Sequence, residues 1–145
     1  MTNITSTSMQ VMQIGETYSY RYQFSQEDVE KFAEATGDDN PLHLDPQFAA
    51  NTPFKRPIVH GMLSASVLAK VFGKQFGGSG GVHLSQTLDF VRPMYVDTEY
   101  EVRFFCKEIN CRRHTAEITS EVFDLSTGKV TLRGTSVVFH RDLFA

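Results

Sequence analysis

The chain has few cysteines, no long apolar run and no surplus of positive charge, and each shortage removes a class of protein. Cys106 and Cys111 are the only cysteines among 145 residues. They make no disulfide framework, and without a CxxC pair a zinc ribbon lacks its ligands. The two could bridge a hairpin, but in a chain without secretory features they are expected to stay reduced and inert. No segment reaches the roughly 18 apolar residues that a membrane span needs. Residues 1–10 are polar and rich in Thr and Ser, without the basic and apolar blocks of a secretory signal or the arginines of a transit peptide. They read as the start of a flexible tail over residues 1–12, leading a single domain that takes up 1–145. A cytoplasmic location is expected. Lys and Arg number 14 against 17 Asp and Glu, for a net charge of -3. That balance leaves no basic footprint for nucleic acid.

What remains is an ordinary globular composition, 41% hydrophobic and 21% charged, at the size of one core. From Glu16 to Phe24 the chain alternates, with Tyr18, Tyr20, Tyr22 and Phe24 on one side and Ser19, Arg21 and Gln23 on the other. A period of two predicts a half-buried strand. Ser25 followed by Asp28 is a capping signal, and Val29, Phe32, Ala33 and Thr36 then recur at helical spacing up to a stop at Gly37. From Asp38 to Pro57 the chain is broken by Pro41, Pro46, Pro53 and Pro57. It should be mostly irregular, with one short helical turn at 47–51. A loop of that length inside a compact domain tends to be functional.

Gly61 to Phe72 is apolar on nearly every face, which predicts a helix buried on all sides. Gly77, Gly78, Gly80 and Gly81 lack the Lys-Ser/Thr that completes a phosphate loop, so a mobile connection is expected there. Four strand patterns follow, at Val82–Val91, Glu99–Ile109, His114–Phe123 and Val130–His140, with short separators that favour antiparallel pairing. The order predicts an α+β domain in which a curved antiparallel sheet wraps a long central helix. An open sheet has an uncovered edge, so a homodimer through an edge strand is expected.

Chemistry concentrates in Gly37-Asp38-Asp39-Asn40-Pro41-Leu42-His43-Leu44-Asp45-Pro46 and Pro57-Ile58-Val59-His60-Gly61-Met62. Asp38 and His43 are five residues apart across a proline, so a turn could aim both at one cleft. A carboxylate beside an imidazole can hold a water between them and move a proton from it to carbon, a device worth on the order of 10² to 10⁴ in rate. Gly61 opens the central helix, where unpaired N–H groups and the positive end of the dipole could meet a carbonyl oxygen gaining charge. One such donor is typically worth about 3 kcal/mol in a transition state.

GDDNPLHLD followed by RPIVHGM resembles the motif of the MaoC-like (R)-specific enoyl-CoA hydratases, which have the hot dog fold. The likeness runs from about Phe32 to Phe90, including Val82 to Pro93 as the following strand, and beyond it only the strand pattern agrees. The resemblance implies syn addition of water to a trans-2-enoyl thioester, on CoA or acyl carrier protein, without a metal or redox cofactor. It implies Asp38 and His43 as the catalytic pair on one water, Gly61 as the oxyanion donor, and Asn40 as the motif asparagine that braces the loop. Some members carry a serine in mid-helix near the catalytic pair; here that position is Ala69, with Ser66 one turn earlier. The same fold also admits a thioesterase or a non-catalytic acyl-thioester binding protein, and the GDxNPxH motif favours the hydratase.

The remaining candidates have plainer readings. His60 is expected to cap or orient the start of the central helix. His43, Asp45 and His60 have the ligand types of a zinc or iron site, but their spacing matches no metal motif, so none is expected. Asp39 is assigned to solvent, His83, His114 and His140 to surface or packing. Arg56, Arg92, Arg112 and Arg113 could meet the phosphates of a carrier, and the sequence does not choose among them.

Overall fold

The computed structural model describes residues 12–74 and 80–145. Residues 1–11 of the expected tail, and Gly77 and Gly78 of the expected mobile turn, lie outside the described residues. Met12, placed in the tail by the sequence, is instead buried in the core, its N–H bonded to Leu143 O at 2.9 Å.

Strand β1 (Thr17–Tyr22) leads into helix α1 (Gln26–Thr36). Ser25 and Asp28 form a complete capping box at its start, and Gly37 ends it at φ +79°, where an L side chain would be strained. The proline-rich stretch is more ordered than its composition suggests. It contains two single turns, α2 (Pro41–Leu44) and α3 (Pro46–Ala50), each with proline in its first turn and an Asx residue as N-cap. Proline suits that position because its missing N–H would be unpaired there anyway.

The long helix α4 (Gly61–Lys74) precedes β2 (Val82–Phe90), β3 (Tyr100–Asn110), β4 (Thr115–Asp124) and β5 (Val130–Phe139). The strands form one antiparallel sheet in the order β1-β3-β4-β5-β2. Alternation sorts its faces. Tyr100, Val102, Phe104 and Cys106 of β3 point inward with Ala116, Ile118 and Val122 of β4, Leu132 and Val138 of β5, and Ala65, Val67, Leu68, Val71 and Phe72 of α4. The tyrosines of β1 pack against this core, as expected of a sheet face. Bulges in β2, β3 and β5 interrupt the register and add twist, which helps the sheet curl about the helix.

The expectation that α4 is buried on all sides does not hold for the single chain. Met62 is 60% exposed, and Ser66, Ala69 and Gly73 continue the same open stripe at helical spacing. The sheet covers one side of the helix, and nothing among the described residues covers the other.

Candidate active site

The turn after α1 sets Asp38, and the cap of α2 sets His43. Asn40 Oδ1 accepts from Leu42 N–H at 3.0 Å, closing the first turn of α2. His43, the third residue of that turn, points inward and is 9% exposed. Its Nδ1 lies 2.7 Å from Ile58 O. A carbonyl only accepts, so Nδ1 carries the proton and Nε2 of the neutral ring keeps its lone pair. Gln26 Nε2 donates to His43 O at 3.1 Å, fastening the turn to α1.

His60 immediately precedes α4 and is 2% exposed. Its Nε2 donates to the backbone oxygen of Asp38 at 2.9 Å, so it holds the Asp38 turn from below. Its ring stacks on His43 with centroids 3.9 Å apart, and Phe32 packs on it at 4.7 Å. Its Nδ1 is buried and has no hydrogen-bond partner among the described residues. One nitrogen from each histidine and a carboxylate oxygen of Asp38 lie within 4.8 Å of one another, with Asp38 at the exposed rim. Among the described residues no hydrogen bond joins Asp38 to His43 directly. Two hydrogen bonds of 2.8 Å meeting at a tetrahedral water span ~4.6 Å, which falls inside that 4.8 Å limit.

Gly61 opens α4, where the first N–H groups have no acceptor inside the helix and the dipole is positive. A Cβ at this position would come 2.8 Å from Cε1 of Phe90, so glycine lets the ring of β2 lie against the helix start. Val59 N–H bonds Met94 O at 2.8 Å, fixing the segment that carries both the Ile58 carbonyl and His60. Phe32 also lines a groove of about 580 Å³ with Tyr22, Phe24, Leu63 and Val67. Burial pushes the Tyr22 phenol above its ordinary range, and its hydroxyl has no partner.

Residues 10–129 match the family model of the MaoC like domain. The (R)-specific enoyl-CoA hydratase of Aeromonas caviae is 37% identical over 131 residues, covering 90% of this chain and 97% of that one. The chain belongs to the MaoC-like family. The 3-hydroxybutyryl-CoA dehydratase of Methylorubrum extorquens is 38% identical over 107 residues, 74% of this chain and 68% of the other. The solved (R)-hydratase from A. caviae involved in PHA biosynthesis superposes with a TM-score of 0.85 at 36% identity, over 90% of this chain and 98% of that one. The unliganded R-hydratase of Pseudomonas aeruginosa gives 0.82 at 30% identity, over 89% and 82%. The hot dog architecture is therefore the fold of this chain.

Within this MaoC-like chain, Asp38 and His43 converge, Asn40 caps the turn between them, and Gly61 follows His60 in sequence. Ala69 has no hydroxyl to offer, and Ser66 Oγ donates to Leu63 O at 2.6 Å within its own helix. The trio His43, Asp45 and His60 does not assemble. Asp45 Oδ1 is taken by Gln47 N–H and Phe48 N–H as the cap of α3, and Asp38 stands in the cluster instead. That set suits a cation poorly. Each histidine already has one nitrogen on a carbonyl, and Asp38, the third donor, stands at the exposed rim. Ile58 is the contributor that side-chain reading misses, because its carbonyl acts and its side chain gives no signal. His60 is nearer the chemistry than a helix-start role implies, and the HGM segment was the available clue.

Proposed function

We propose that this chain is an (R)-specific enoyl-thioester hydratase and 3-hydroxyacyl-thioester dehydratase, a hydro-lyase acting on CoA or acyl-carrier-protein thioesters. The observation that carries it is the tautomer of His43. With Nδ1 bound to Ile58 O, Nε2 is left as the ring's acceptor, and one ring nitrogen of His43 lies within 4.8 Å of an Asp38 carboxylate oxygen. The thioester oxygen would face the Gly61 N–H, with the enoyl C3 toward the water between Asp38 and His43. As the water oxygen bonds to C3, the π electrons of C2=C3 move onto the thioester oxygen, which becomes an enolate at the positive end of α4. Asp38 orients the water, and the Asp38–His43 pair takes one of its protons and returns it to C2 on the same face. The net change is the addition of one water, syn, with no cofactor in any step. Asn40 braces the turn that presents His43, and His60 braces Asp38.

A second copy of the chain is the partner that the open face of α4 and the outer edge of β2 fit best. Val82, Leu84 and Phe90 on that strand are exposed, and among the described residues β2 is paired only with β5. We infer a cytoplasmic enzyme, a reading supported by two free thiols. No helix among the described residues is long and apolar enough to cross a membrane.

Following the absorbance of the enone-like chromophore of crotonyl-CoA tests the reaction. Wild type should consume it without releasing free thiol, and Asp38→Asn and His43→Ala should each lose at least about 10²-fold in kcat. Thiol release by wild type would favour a thioesterase, and binding without turnover would favour a non-catalytic carrier.

A further inference from the structure

A thioester carrier is strongly anionic, whereas the chain has a net charge of -3. Binding therefore needs a local cation that is not already neutralised. Arg21 and Arg103 both pair with Glu101, at 3.1 and 2.7 Å, and Lys31, Lys107 and Arg133 have glutamate partners of their own. Arg56 has no carboxylate partner among the described residues. Its Cζ lies 3.8 Å over the ring of Tyr95. Arg103 stacks similarly on Phe123 at 4.2 Å, but its charge is committed to Glu101.

The platform under Arg56 is held in place. Tyr95 N–H donates to Tyr100 Oη at 2.8 Å, and Tyr100 is a buried core residue. A guanidinium held over a ring can turn its N–H edge outward toward a pair of phosphate oxygens. Two residues along the chain, Ile58 O receives the His43 proton, and Val59 is bonded to Met94, the neighbour of Tyr95. Arg56 is thus at most about 18 Å of extended chain from Gly61. The pantetheine arm between sulfur and phosphate has a comparable reach, equal to some four extended residues or about 15 Å. Arg112 and Arg113 fall in the β3–β4 turn, a strand length of about 34 Å from the Tyr100 end of the sheet. The structure thereby favours Arg56 over Arg112 and Arg113, while Arg92 is tied to the sheet by its Nη1 bond to Val130 O at 2.6 Å.

We infer that Arg56, held on Tyr95, anchors a phosphate of the acyl carrier, the ester phosphate at the end of the pantetheine arm. The inference rests on the hydratase reading for its ligand. Its test reads binding without turnover, so the two can fail separately. Titration calorimetry with CoA, 4′-phosphopantetheine and phosphate-free pantetheine is the measurement, on wild type, Arg56→Ala, Arg56→Lys and Arg112→Ala. Arg56→Ala should raise the Kd of CoA and of 4′-phosphopantetheine about tenfold and leave pantetheine unchanged. Arg56→Lys should fall between, and Arg112→Ala should match wild type. A loss confined to CoA would overturn the pantetheine-phosphate assignment and place the contact on the nucleotide phosphates. Unchanged CoA binding in Arg56→Ala, or an equal loss with pantetheine, would overturn the anchor.

Discussion

At the scale of residues, the site depends on two carbonyls as much as on its side chains. Ile58 O sets the proton of His43, and Asp38 O takes that of His60. The Gly61 N–H is the third backbone group with a task in the proposed reaction, and a substitution can remove it selectively. Proline is tolerated at the first position of a helix, so Gly61→Pro deletes the donor while the helix can persist. Any side chain there meets Phe90 at 2.8 Å, and Gly61→Ala controls for that contact because it keeps the N–H. Phe90 is 55% exposed, so its ring can swing aside. We expect kcat of Gly61→Pro to fall about 10²-fold below that of Gly61→Ala, with both folded by circular dichroism. Equal rates would take the oxyanion role from Gly61.

At the scale of elements, α2 is one turn long and cannot persist on its own propensity. It is held by the Asn40 cap, by Pro41, and by the Gln26 contact to His43 O. Asn40→Ala should cost about 1 kcal/mol of stability, the usual worth of such a cap. It should lower kcat more than it raises KM, because the turn positions His43 rather than the carrier. Denaturant titration and steady-state kinetics on one preparation check both. Much of this was legible beforehand. The alternation of Tyr18 to Phe24, the Ser25–Asp28 cap, the stop at Gly37 and the four later strands all appear within a residue or two of where local pattern puts them. The turns α2 and α3 were less legible, because four prolines read as breakers when two of them serve as helix starts. Asp38 is read as the partner of His43 and does stand beside it, whereas Asp45, weighed with the two histidines only as a metal set that is not expected, is spent on the cap of α3.

At the scale of the whole molecule, the misread face of α4 has the same origin as the exposed edge of β2. An all-apolar helix predicts complete burial, and the described residues bury only one side of it. A second copy would cover the remainder. Leu84→Lys with Phe90→Lys should convert a dimer into a monomer by light scattering after size exclusion, because charges on an edge strand oppose pairing. A monomeric wild type would contradict that arrangement. Acid should also loosen the fold through Glu101. The Arg103 hydrogen bond, helped by Arg21 and opposed by burial, holds its carboxyl below the usual 4.5. A lowered carboxyl stabilises the fold above its unfolded pKa and loses that contribution as pH falls through the folded value. The Tm advantage of wild type over Glu101→Gln should therefore be full at pH 7 and shrink below about pH 4.5.

The central claim is that Asp38 and His43 move water on and off one face of an acyl thioester. Running the reaction toward dehydration tests it most directly, with (R)- and (S)-3-hydroxybutyryl-CoA offered separately and the enone chromophore followed. The account predicts that the chromophore rises with the (R) substrate alone, and that the rise is lost in both Asp38→Asn and His43→Ala. Turnover of the (S) substrate, or undiminished turnover in either variant, would contradict it.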